Sequence, residues 1–163
     1  MFARLALFAA PVYSAALAQG LPAPVDGLYS RQFIMPLSVL SVTITDSATE
    51  NPKATIVATL PFLAPVVQIT DCPYTASAGP QDGTSLLILD AGCLAPALPL
   101  TNSFLASRGY KGELTPENGL RVVYFPNGRD GVSNASLFVT VLTDTTPPTE
   151  IWRGHCTLQD QDE

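Results

Sequence analysis

The chain of 163 residues carries 8 Lys+Arg against 14 Asp+Glu, a formal net charge of −6. Its charged share of 13 % is about half that of an ordinary soluble domain, while 47 % of residues are hydrophobic. This excludes a disordered chain and a coiled coil, and a sequence pI near 4.5 sets the protein against nucleic acid and anionic lipid surfaces. Mean hydropathy is +0.25, yet no apolar run reaches the ~18 residues of a membrane span, which excludes a polytopic membrane protein.

Met1-Phe2-Ala3-Arg4 reads as a cationic n-region, and Leu5 to Leu17 as an apolar h-region broken only by Pro11 and Ser14. Ala16-Leu17-Ala18 then supplies a cleavage site, so residues 1–18 are expected to be a signal peptide and Gln19 the mature N-terminus. No cysteine follows the site for lipid attachment, and the apolar stretch is too short for a stable membrane anchor. The expected home is the periplasm of a Gram-negative bacterium or the medium around it. Loss of Arg4 leaves 145 residues with 7 Lys+Arg against 14 Asp+Glu, enough for one domain.

Residues 19–26 read as a flexible lead-in, because Pro22 and Pro24 have no amide proton for a ladder. From there the period is 2. Leu40, Val42 and Ile44 alternate with Val39, Ser41, Thr43 and Thr45; Ala54, Ile56, Ala58 and Leu60 alternate with Thr55, Val57 and Thr59. Such Val-, Ile- and Thr-rich runs predict half-buried antiparallel strands. Further strands are predicted over 28–34, 66–71, 85–90, 120–125, 135–142 and 150–158. Gln81-Asp82-Gly83, Glu117-Asn118-Gly119 and Asn127-Gly128 mark turns between them. One short helix is expected, with Asn102 as its N-cap and Gly109 just past its end. The pattern predicts an all-β domain over residues 27–158, a small antiparallel barrel or sandwich of about eight strands, followed by an acidic tail at 159–163.

The three cysteines of an exported chain suggest one disulfide and one thiol. Loop closure favours Cys72–Cys93. Strand geometry opposes it: if 66–71 and 85–90 form one hairpin, Cys72 and Cys93 leave opposite ends, more than ~20 Å apart against the 4.4–6.8 Å a disulfide allows. A meander with a further strand near 110–114 brings Cys156 back to Cys93. The expectation is Cys93–Cys156, with Cys72 as the free thiol.

His155, the single histidine, adjoins Cys156, and neighbours on a strand face opposite ways, so no metal site and no cofactor is expected. No G-x-S-x-G or S-x-x-K motif is present. Asp71 and Asp90 follow apolar runs and are the best pair for carboxylate chemistry, although acids that close strands ordinarily serve turns. Trp152 and Arg153 are residue types that anchor interfaces, which makes the last strand a candidate interaction surface; a lone tryptophan also commonly fills core space. The expected function is therefore non-catalytic: an exported β-domain that binds an unidentified envelope protein or small ligand. A small periplasmic hydrolase using Asp71 or Asp90, and a structural accessory subunit of an envelope complex, are the alternatives.

Overall fold

A computed structural model describes residues 20–32, 39–59, 67–129 and 134–159. The expected signal peptide and all but the first residue of the expected acidic tail lie outside them. Eight strands follow in order: β1 (Gly27–Gln32), β2 (Val39–Thr45), β3 (Lys53–Thr59), β4 (Val67–Ala78), β5 (Ser85–Leu89), β6 (Leu120–Phe125), β7 (Ser136–Thr143) and β8 (Thr149–Leu158). Each pairs antiparallel with its sequence neighbours, and β8 returns to β1 to close a barrel. A helical insert separates β5 from β6: α1 (Ala91–Leu94), a 3-10 turn (Ala95–Ala97) and α2 (Leu98–Ser107).

Period-2 alternation explains why the strands close. Tyr29 stands opposite Val42, Val42 opposite Ile56 and Ile56 opposite Ile69, and all four are buried inside. Across the barrel, Leu87, Val122 and Val139 make a matching row. Tyr29, Tyr124, Ile44 and Leu137 are the largest of the fully buried side chains. An eight-stranded barrel leaves an interior just wide enough for side chains to fill. The outer wall of β2 to β4 presents Ser41, Thr43, Thr55, Gln68 and Thr70. Val39 and Val57 share that face with them.

The outer wall of β6 and β7 is different. Val123 and Phe125, alternating with the inward Val122 and Tyr124, are nevertheless 4 % and 5 % exposed. The Arg129 guanidinium lies 5.3 Å from the Phe125 ring centre and 4.5 Å from that of Phe138. Both distances suit cation–π contact.

Three sequence expectations need correction. The lead-in, where described, is held rather than loose. The Ser85 hydroxyl donates to Pro22 O at 2.6 Å, the Tyr29 hydroxyl donates to Val25 O at 2.8 Å, and the Asp26 carboxylate accepts from Ser47 N–H at 3.0 Å. Prolines that cannot join a ladder still offer carbonyls to a barrel mouth. Second, Asn102 lies within α2, and the helical run starts at Ala91 behind Asp90, whose carboxylate accepts from Gly92 N–H at 2.8 Å. The end was legible: Gly109, at φ 81°, donates to Ala106 O, and Tyr110 N–H donates to Leu105 O, the two bonds of a Schellman motif.

Third, the disulfide joins Cys72 to Cys93, and Cys156 is the buried free thiol, so neither the Cys93–Cys156 bond nor the free Cys72 holds. The reason is β4, which runs on through Cys72 and Pro73 to Ala78. A bulge opposite Thr55 absorbs one residue: Asp71 takes φ 49° and turns its N–H to the Thr55 hydroxyl. Beyond it Tyr74 pairs with Leu89, so Cys72 lies level with the exit of β5. The chain then enters the helical insert at Ala91, residues 110–114 form no strand, and Cys93 comes back over Cys72 with Cα atoms 5.8 Å apart.

Candidate functional site: a groove beside the helical insert

The insert forms one side of an open concave feature. Pro99 sits in the first turn of α2, where its missing N–H costs no helical bond. After the Schellman turn the chain runs back along α2. Asn102 clamps it there: its side-chain oxygen accepts from Leu114 N–H at 2.8 Å, and its amide donates to Leu114 O at 3.1 Å. Glu113 N–H donates to the Asp144 carboxylate at 2.8 Å, which ties the returning segment to the β7–β8 turn. Between the two arms runs a groove of about 810 Å³. Leu98, Pro99, Asn102, Ser103 and Ala106 line one side; Tyr110, Gly112, Glu113, Leu114 and Pro116 line the other. Leu105 and Leu114 are both buried at 7 % exposure, whereas Leu100 and Tyr110 are 56 % and 47 % exposed. Glu113 is the charged side chain in its lining, and polar and apolar surface share the groove about equally.

None of the candidate site residues Asp71, Asp90, Trp152 and Arg153, nor His155 or a cysteine, lines this groove. Asp71 forms the bulge of β4 and Asp90 caps α1; both are exposed. Trp152 and Arg153 occupy opposite faces of β8. The indole packs against the barrel core over Gly154, where a Cβ would collide with it. Arg153 points outward, 65 % exposed, and pairs with Glu150 at 2.6 Å. Residues three apart on a regular strand face opposite ways; the register shift between Val141 and Leu142 leaves Ile151 as the extra residue and puts Glu150 and Arg153 on one side. Trp152 and Arg153 therefore do not form one surface. His155 stands on the outer wall opposite Phe138, with ring centres 6.5 Å apart.

Two inner features carry shifted protonation equilibria. Burial pushes the Cys156 thiol up to about 12, against a smaller opposing pull from Arg31. Burial likewise raises the phenols of Tyr29, Tyr74 and Tyr124. The Tyr74 hydroxyl is buried and finds no hydrogen-bond partner among the described residues. Among those residues no group of His, Cys, Asp and Glu is placed to hold a metal ion. The groove residues had a partial signal in the sequence, since Pro99 and Gly109 bracket α2. Nothing in the period of residues 110–116 shows that they fold back onto it.

Compared with family models, with curated proteins and with solved structures, the chain matches none.

Proposed function

We propose that this chain is an exported, non-catalytic β-barrel of the cell envelope that binds a partner protein, and that the groove beside α2 receives it. One observation carries this reading: an open groove runs beside α2, with the exposed side chain of Tyr110 in its lining and exposed Leu100 on the helix that forms one side. Exposed apolar area rimmed by polar groups marks interaction sites. A small ligand inside the barrel is supported less, because the inner stripe already fills the space. Export is supported by the 1–18 segment pattern and by the Cys72–Cys93 bond, a bond typical of oxidising compartments.

A photo-crosslinking residue at Ser103, in the groove, is expected to trap a discrete protein adduct in cells, and the same probe at Thr43, on the β2 outer wall, is not. Leu98→Asp should abolish the Ser103 adduct. Identical adducts from both positions, or none from Ser103, would overturn the reading. Intact mass of the exported protein should correspond to a chain starting at Gln19.

A further inference from the structure

The helical insert is joined covalently to the barrel at Cys72–Cys93, and the two sulfurs have unequal surroundings. Cys72 is 0 % exposed in the core, whereas Cys93 on α1 is partly accessible. Most of the loop that the bond closes is already held by the β4–β5 ladder, from Tyr74 opposite Leu89 to Ala78 opposite Ser85. What the bond adds to the folded molecule is therefore a restraint on α1 and the segment after it. A second feature concerns the Asp90 carbonyl, which lies 3.7 Å from Cys72 Sγ and 3.1 Å from Cys93 Sγ. A disulfide has no proton to donate to it, but two thiols do, and a carbonyl has two lone pairs. The site thus accommodates the reduced pair without leaving a buried donor unsatisfied.

The geometry points to Cys72–Cys93 as a reversible redox latch on the helical insert, opened by a dithiol reductant while the barrel keeps its fold. A thiolate of the dithiol attacks Cys93 Sγ, the reachable sulfur. The S–S bond breaks, and its electron pair leaves on Cys72 Sγ, which takes up a proton. The second thiol then attacks the reductant's own sulfur in the mixed disulfide and releases Cys93, which is protonated in turn. Two electrons and two protons pass to the protein, and the dithiol ends as its own disulfide. This latch stands on the surroundings of the bond and does not depend on partner binding at the groove.

Trypsin reports the latch through Arg108 and Lys111, which follow α2, against Lys53 on β3 and Arg121 on β6. The ratio of insert to barrel cleavage should rise at least ~tenfold when the full exported chain is treated with dithiothreitol, because local opening outruns global unfolding. The Cys72→Ala/Cys93→Ala variant should show the raised ratio without reductant. Far-UV circular dichroism and Trp152 fluorescence of the uncleaved reduced protein should stay native. An unchanged ratio, or loss of native fluorescence on reduction, would overturn the latch. The direction of attack has its own test under native conditions. The free Cys93 of Cys72→Ala should react with a maleimide, and the free Cys72 of Cys93→Ala should not; the reverse order would refute attack at Cys93.

Discussion

The barrel wall and the helical insert are built by different means, although they touch along β4. In the wall every second residue enters one continuous core, and the ladder fixes each strand against two neighbours. The insert contributes Leu94 to that core, while Leu105 and Leu114 are buried outside it. Its position depends on single devices: the Asp90 cap, the Schellman turn at Gly109, the Asn102 clamp and one disulfide. A structure held by many equivalent contacts tolerates outer-face variation. One held by a few specific contacts can be loosened locally, and its surface is where an open groove arises.

The largest expected effect is on the wall and comes from pH. The free thiol and the three buried phenols have raised pKa values when folded, so their contribution to stability is complete below their ordinary values of 9.0 and 10.0. Above those values the unfolded chain loses protons first, and each group should cost about 1.4 kcal/mol per pH unit as the pH climbs toward its folded pKa. Urea unfolding should give stability independent of these groups up to about pH 9 and a steep fall beyond it. In Cys156→Ala the fall should begin near 10 instead. A flat profile to pH 11 would remove the buried cluster as the wall's weak point.

Core truncation sharpens the contrast directly. Leu137→Ala, at a fully buried site inside the barrel, should cost about 3–5 kcal/mol, because the closed ladder cannot collapse around the cavity. Leu105→Ala, on α2 and outside the barrel core, should cost nearer ~2 kcal/mol, since α2 can shift to fill the space. Equal losses in chemical denaturation would erase the distinction.

The disulfide acts on both states. Cys72→Ala/Cys93→Ala should lower global stability by about 3 kcal/mol through the freed unfolded chain, as the chain-entropy relation gives for a separation of 21. That loss should appear as a lower denaturation midpoint with native Trp152 emission.

Two glycines give the smallest test. Gly154→Ala drives a methyl group into the Trp152 indole and should cost about 1–3 kcal/mol with a shift in tryptophan emission. Gly109→Ala forces a side chain into φ 81° with nothing within 4 Å of the new Cβ, so only backbone strain of about 1 kcal/mol is expected, with emission unchanged.

The wall was legible because alternation is local: Leu40, Val42 and Ile44 announce their face whatever else the chain does. Eight expected segments overlap the eight strands, but β4 runs seven residues past its expected end and no strand forms near 110–114; the turn glycines at 83 and 128 adopt the positive φ that such turns require. The site was far less legible. Asp71, Asp90, Trp152 and Arg153 attracted attention by residue type, and the fold uses them for a bulge, a cap, core packing and a surface ion pair. Tyr110 and Leu114 have no periodic signature, because their place depends on a helix doubling back on itself.

From the amino-acid sequence alone follow the all-β class, the strand segments, the acid balance and the end of α2. Each depends on interactions between residues close in the chain. Tertiary structure decided the cysteine pairing, the seating of residues 20–26 and the existence of the groove. One bulged residue at Asp71 let β4 run past Pro73, and that extension set Cys72 beside the exit of β5. No local pattern reveals such a shift, because its consequence is felt 21 residues along the chain, at Cys93.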